Sequence, residues 1–344
     1  MTTLKKCPSK SGVNFRKSTF VESHFTPQRR LPEEASTATF FAEIVDLVKL
    51  NEPTGQLDED TLVCDLQHFF EYPNVDKRNL HLWRDNKGKL VGFGQLFISE
   101  ENEQIEGYLY FDVHPTQQGV LEAEILQWSE ERLREVGKRS PLIKLRTRSR
   151  ENRSLRQVLL EKQDFTTERR FLTMACSLNQ PFSSSKLPTD FTLQQLSSEG
   201  DIKAWVEMFN GSFIDHWDHH ELSIATVSSW LKNPHYKPEL NWVAVAPDGT
   251  FAAFCIGYIN QEENARTGRK EGWIKLLGTR RGFRKLGLGR SILLTCIKQL
   301  QAANIDQVKL GVDAQSLTSA TRLYQGVGFE AVNTWLSYIK EVQL

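Results

Sequence analysis

Short runs of alternating apolar and polar residues recur along this chain, and two longer stretches follow a helical period instead. The longer stretches are LEAEILQWSEERLREV (Leu121–Val136) and GRSILLTCIKQLQAAN (Gly289–Asn304). Ahead of the first stand the strand-like runs LHLWRD, KLVGFGQLFI and GYLYFDV. Behind it come LIKLRT, a helical SLRQVLLEK and the strand FTTERRFLTMACSL. Ahead of the second stand a strand FTLQQL, a helix in DIKAWVEMFNGSF, a shorter one near TVSSWLK, and strands in NWVAVAP, TFAAFCIGYI and GWIKLL. Behind it follow a strand QVKLGV, a helix SATRLYQGVG and a last strand FEAVNTWLSYI.

The two halves therefore show the same order of elements. Gly272 stands 165 residues after Gly107, and Phe329 stands 164 after Phe165, so two landmarks keep nearly one offset. An internal duplication is predicted, with the order of elements carrying more weight than the two matched letters. The Ser/Pro-rich NQPFSSSKLPTD between the halves has linker composition. The domains expected are thus residues 1–178, a linker at 179–190, and residues 191–344, in an α/β fold.

Composition narrows the function mostly by exclusion. With 344 residues the chain is long enough for two cores, and 39% hydrophobic with 25% charged residues is ordinary for a soluble protein. A formal net charge of +0 argues against binding driven by the field of the whole molecule, so neither nucleic acid nor a membrane surface is expected as a partner. No run approaches the roughly 18 apolar residues of a membrane span, and MTTLKKCPSKSGVNF lacks the apolar core of a signal peptide, so a cytoplasmic protein is expected. The five cysteines are scattered, odd in number and without C-x-x-C spacing, which predicts reduced packing residues and no zinc site.

Charge is nonetheless concentrated in one place. Nine Lys/Arg lie between Arg266 and Arg290 against the single acid Glu271, around the glycine-rich GFRKLGLGRS. Read as a P-loop, Gly282 and Gly287 are spaced correctly, but Leu288 stands where lysine is required. Read as a dinucleotide fingerprint, Gly287 and Gly289 supply two glycines and Ile292 occupies the third position. The pattern [QR]-x-x-G-x-[GA] is met fully by Arg284 to Gly289. Glycines there let backbone approach an anion, and the helix that follows presents unpaired N–H groups and its positive dipole end. A solvated basic turn is the alternative.

GWIKLLGTRRGFRKLGLGRSILL followed by VKLGVDAQSLTSATRLYQGVGF resembles the acetyl-CoA-binding core of the GNAT acetyltransferase superfamily, and the duplicated layout resembles its tandem members. The resemblance covers most of the chain, with its specific motifs in the second half. It implies two tandem GNAT-like units, each a mixed, mainly antiparallel sheet flanked by helices. In the first half DVHPTQQGVLEAEIL keeps the VHP but has no G-x-G, and Glu122 and Glu124 stand near where phosphates would sit. Their charge would repel such a ligand, so the first unit is expected to be a degenerate copy.

What the resemblance implies for chemistry is transfer of an acyl group, most naturally acetyl, from CoA to a primary amine. The backbone of Leu277, Gly278 and Thr279 would pair with the pantetheine arm. The N–H groups of Lys285, Gly287, Leu288, Gly289 and Arg290 would hold the diphosphate, with Arg284 among the basic side chains at hand. Ser316 stands where the family often has asparagine on the CoA arm, a departure that puts this contact in doubt. Tyr324 matches the tyrosine that protonates the departing thiolate, although it also continues the apolar face of Ala320, Leu323 and Val327. Glu271 lies near a glutamate used as base in several members, and it equally suits a surface partner of Lys270. Asp215, His216 and Trp217, in SFIDHWDHHELS, resemble an acceptor-bordering segment; with His219 and His220 they match no metal-ligand spacing. Acetyl-CoA as co-substrate, no metal, a small-molecule or peptide amine as acceptor, and a monomer or homodimer are therefore expected. A non-catalytic acyl-CoA-binding module is the competing reading. A phosphotransferase lacks the P-loop lysine.

Overall fold

The computed structural model describes residues 37–51, 76–101, 104–138, 140–179, 181–182, 186–196, 199–216, 221–231, 236–316 and 320–343. In chain order the elements are α1 (Thr37–Leu50), β1 (Leu80–Arg84), β2 (Leu90–Glu101), β3 (Gln104–Val113), α2 (Leu121–Val136), β4 (Leu142–Arg150), α3 (Ser154–Lys162) and β5 (Thr166–Ser177). They continue with β6 (Thr192–Gln195), α4 (Ile202–Phe213), α5 (Ile224–Leu231), β7 (Asn241–Val245), β8 (Phe251–Tyr258), α6 (Gln261–Thr267) and β9 (Glu271–Thr279). The last are α7 (Leu288–Ala302), β10 (Gln307–Asp313), α8 (Ala320–Gln325) and β11 (Glu330–Glu341). The sequence pattern anticipates all of these except α1 and α6.

The described residues divide into two compact units. The N-terminal unit takes those up to Leu172, Asp313–Gln315, and those from Asn333 onward. The C-terminal unit takes Thr173–Val312 and Ser316–Val332. Each unit thus draws its closing strand from the other half of the sequence. In the N-terminal unit β1, β2 and β3 run antiparallel, β4 joins β3 in parallel, and β11 pairs antiparallel with β4. In the C-terminal unit β6 to β9 are antiparallel neighbours and β10 joins β9 in parallel. Both are the mixed, mainly antiparallel sheets that the resemblance implies.

Helical periodicity decides what each long helix buries. In α2, Leu121, Ile125, Leu126 and Leu133 pack onto Leu96, Leu109, Phe111 and Leu145. In α7, Leu288, Ile292, Leu293, Cys296, Ile297 and Leu300 are all buried. The other face of the C-terminal sheet is aromatic: the ring of Trp205 lies 5.1 Å from that of Phe254 and 5.6 Å from that of Phe209.

The landmarks of duplication have physical causes. A Cβ on Gly107 would lie 2.7 Å from the Leu133 methyls of α2, and one on Gly272 would lie 2.9 Å from a Leu300 methyl of α7, so each glycine seats the leucine of its covering helix. Phe165 and Phe329 are also equivalent. The Phe165 N–H donates to the Leu160 carbonyl at 3.0 Å, and the Phe329 N–H donates to the Tyr324 carbonyl at 3.1 Å. Each follows a left-handed residue, Asp164 or Gly328, that closes the helix before it. Leu160 is therefore the N-terminal counterpart of Tyr324.

Replacing Gly272 by valine is expected to destabilise the chain by about 1–3 kcal/mol through overpacking against Leu300. Denaturant unfolding measures this, and Leu300→Ala in the same background should return part of the loss.

Candidate active site

The central feature of the C-terminal unit is a pair of parallel strands that part. Pairing of β9 with β10 runs from Glu271 opposite Gln307 to Ile274 opposite Leu310 and then stops. Beyond that point β9 continues to Thr279 beside β8 alone, and β10 continues to Asp313. The parting coincides with a bulge: Ile256 faces Leu276 and Gly257 faces Ile274, leaving Lys275 as the extra residue in β9. A β9 edge containing Leu277, Gly278 and Thr279 is left without a strand neighbour. The Thr279 carbonyl already accepts from Arg284 Nε at 3.2 Å.

At the end of that edge the chain makes one 3-10 turn, Arg281–Phe283, and then turns into α7. Lys285 and Gly287 both take left-handed backbone, with φ of 65° and 85°. Gly287 is the N-cap, no side chain caps the helix, and no acid lies in its first turn. The Lys285–Arg290 amides and the positive end of a 15-residue helix are thus collected at one exposed corner. A Cβ on Gly289 would lie 3.4 Å from Thr279 Oγ1, so this corner adjoins the open strand edge.

Most of the local cations are already engaged in structure. Arg284 Nη1 donates to Asp215 at 2.6 Å and its Nη2 to the Ser212 carbonyl at 2.8 Å, while Arg281 pairs with the other Asp215 oxygen. Arg290 Nη1 donates to the Gly326 carbonyl at 2.6 Å, at the end of α8. Lys275 Nζ lies 5.0 Å from the Tyr258 ring centre and 5.5 Å from that of Trp273. The two arginines beside Asp215 hold its carboxyl at about 2, well below the usual carboxylate range.

The remaining candidates are dispersed around this corner. Tyr324 is 7% exposed, its ring set edge-on to Phe329 at 5.9 Å. Burial, with the nearby Cys255 thiol, pushes its phenol well above the ordinary range. Cys255 is the register partner of Leu277, so the phenol lies close to the strand pair at the level of the open edge. Glu271 sits at the opposite, paired end of β9. Its carboxylate accepts from Lys309 at 3.0 Å and Arg269 at 3.3 Å, so both oxygens are engaged. The signal for this partnership was Lys309 itself, a cation within the apolar run of β10. Ser316 is half-buried and follows the turn in which Asp313 accepts the Gln315 N–H at 2.8 Å. His216 closes α4, its N–H donating to the Phe213 carbonyl at 2.8 Å. Trp217, His219 and His220 lie outside the described residues. Among the described residues no group of three His, Cys, Asp or Glu is placed to hold a metal, and no helix is long and apolar enough to cross a membrane.

Residues 202–329, from α4 through the loop to Phe329, match the acetyltransferase (GNAT) family. The chain carries a GNAT acetyltransferase domain. A mycothiol acetyltransferase of Kineococcus radiotolerans is 28% identical over 263 residues, covering 75% of this chain and 80% of that protein. Among solved structures, a GCN5-related N-acetyltransferase from Sphaerobacter thermophilus superposes with a TM-score of 0.72 at 21% identity, over 92% of this chain and 95% of that one. A tandem GNAT protein from the clavulanic acid biosynthesis pathway gives 0.69 at 11% identity, over 90% and 97%. The fold is therefore that of tandem GNAT proteins, and the family's co-substrate is acetyl-CoA.

The N-terminal GNAT-like unit shows how its counterpart of the loop has closed. His114 and Arg280 share one backbone conformation, each opens a 3-10 turn, and Gly119 and Lys285 are both left-handed. From there the copies differ. The Gly119 N–H donates to Glu122 Oε2 at 3.0 Å, and Arg156 Nε donates to Glu122 Oε1 at 2.8 Å. Glu122 is 2% exposed, so a fixed carboxylate occupies the helix end where an anion would lie. Its expected opposition to a ligand takes the form of substitution. Glu124 instead accepts from Trp83 Nε1 at 2.7 Å.

Gly287→Val is expected to weaken acetyl-CoA binding at least tenfold, since a β-branched residue is strained at this φ and the amides would move. Calorimetry of the full chain should also give one acetyl-CoA per chain. A second site of similar affinity would contradict the self-filled N-terminal loop.

Proposed function

We propose that the C-terminal unit transfers acetyl from acetyl-CoA to a primary amine of a small acceptor, while the N-terminal unit performs no chemistry. The observation that carries this reading is the β9 edge, without a strand neighbour beyond Ile274 and ending at a helix N-terminus that no side chain caps. The amides of Lys285, Gly287, Leu288, Gly289 and Arg290 hold the diphosphate. The free edge of Leu277, Gly278 and Thr279 pairs with the amides of the pantetheine arm as an added strand would. Arg284 acts here by shaping the loop, and Lys285 is the exposed cation beside it.

Bound in this way, the thioester presents an activated acetyl group to a neutral amine. Tyr324 Oη gives its proton to the departing thiolate; burial keeps the phenol protonated until then, and the same desolvation raises the thiolate's own affinity for the proton. Glu271 anchors β9 to β10 through Lys309, and water takes the proton shed by the amine. His216, at the end of α4, is the acceptor-side candidate among the described residues. Relatives named as mycothiol acetyltransferases favour a small molecule over a protein lysine as acceptor. A cytoplasmic location, where acetyl-CoA is at hand, fits this activity.

Tyr324→Phe is expected to lower kcat about a hundredfold and to leave acetyl-CoA affinity unchanged. Because the phenol is pushed above its ordinary value near 10, it stays protonated across the working range, and kcat should show no alkaline loss due to Tyr324 below about pH 10. Thiol release across an amine panel reads both. A chain that binds acetyl-CoA and acetylates nothing would be a binding module instead.

A further inference from the structure

The basic loop is fastened from one side. Asp215, just past the last turn of α4, accepts from Arg284 Nη1 at 2.6 Å through Oδ2 and from Arg281 Nη2 through Oδ1. The same Arg284 reaches the Ser212 carbonyl of α4 at 2.8 Å and the Thr279 carbonyl of β9 at 3.2 Å. Arg280 lies along α4 as well, its Cγ 3.2 Å from where a Cβ of Gly211 would stand. Three elements, the end of α4, the end of β9 and the loop before α7, therefore meet on one carboxylate and one guanidinium.

We infer that Asp215 is a positioning residue for the co-substrate: it holds the Arg281–Arg290 loop in the shape that receives a diphosphate, and does not itself contact the acceptor. The inference rests on the proposed reading of that loop. Arg281 and Arg284 would repel one another and compete for any phosphate that arrived. With the carboxylate between them their mutual repulsion is offset and both are directed toward α4, which leaves the backbone amides of Lys285 to Arg290 at the open corner. Preorganised amides need not rearrange when the anion binds.

The sign of one measurement decides the matter, because two effects oppose. Asp215 places a negative charge beside a strongly anionic ligand, so by Coulomb's law alone its removal tightens binding. If its task is to hold the loop, removal loosens binding. Side-chain exposures of 27% for Asp215 and 60% and 25% for Arg281 and Arg284 make each ion pair weak by itself, so the loss should come from the shape of the loop.

The test is calorimetric titration of the full-length chain with acetyl-CoA. Asp215→Asn should bind about three- to tenfold more weakly, and Asp215→Glu should recover part of that. Arg284→Gln combined with Asp215→Asn should be little worse than either alone, since both remove the same clamp. With an amine acceptor in hand, KM for acetyl-CoA should rise and KM for the acceptor should not. Unchanged or tighter binding by Asp215→Asn, or an effect confined to the acceptor's KM, overturns the inference while leaving the diphosphate site standing. Absence of binding by the wild-type chain overturns both. An unfolding midpoint within about 2 °C of wild type confirms that the variant is folded.

Discussion

A strand that stops pairing in the interior of a sheet sets the terms for everything around it. Backbone N–H and C=O groups are obligatory hydrogen-bonding groups, and leaving them buried without partners is expensive. Where β9 and β10 part after Ile274, the edge of β9 loses its strand neighbour, and the end of α7, capped by no side chain, adjoins that edge. A ligand that satisfies both must be long, must carry amides along its middle, and must end in an anion. Acetyl-CoA, the co-substrate of the GNAT family, has that shape, and the proposed reading asks few dedicated side chains of this region.

The two copies deal differently with the same constraint. In the N-terminal unit the parallel pair also ends at the equivalent position, Leu109 opposite Thr147, but there the Thr147 hydroxyl donates to the Leu109 carbonyl at 2.8 Å. Its helix terminus receives Glu122, and Leu160 stands where the C-terminal copy keeps Tyr324. A helix end that no side chain caps in one copy is met by a carboxylate in the other. Divergence after duplication is visible as this change in who supplies the partner.

What could be read from the sequence follows from how local each requirement is. The glycine loop was legible because Gly287 answers to its own φ and the amides answer to the helix that follows. The repeat was legible because Gly107 and Gly272 each answer to a leucine at a helical offset. The fate of the arginines was not. Nine cations in a short stretch read as a field for phosphate, yet Arg281 and Arg284 answer to Asp215, some seventy residues away along the chain. The ion pair of Glu271 could not be read for the same reason, since Lys309 comes from another strand. The exchange of closing strands was invisible, because alternation marks a strand without naming the sheet it joins.

That exchange bears on how the protein is made. β11 follows every other strand of both units in chain order, and it completes the sheet begun by β1 to β4. The N-terminal sheet therefore has to wait through the synthesis of its sibling with β4 still lacking a neighbour, an exposed edge of the kind that invites wrong partners. Arg146, Arg148 and Arg150, alternating along that strand, place positive charge on it throughout the delay.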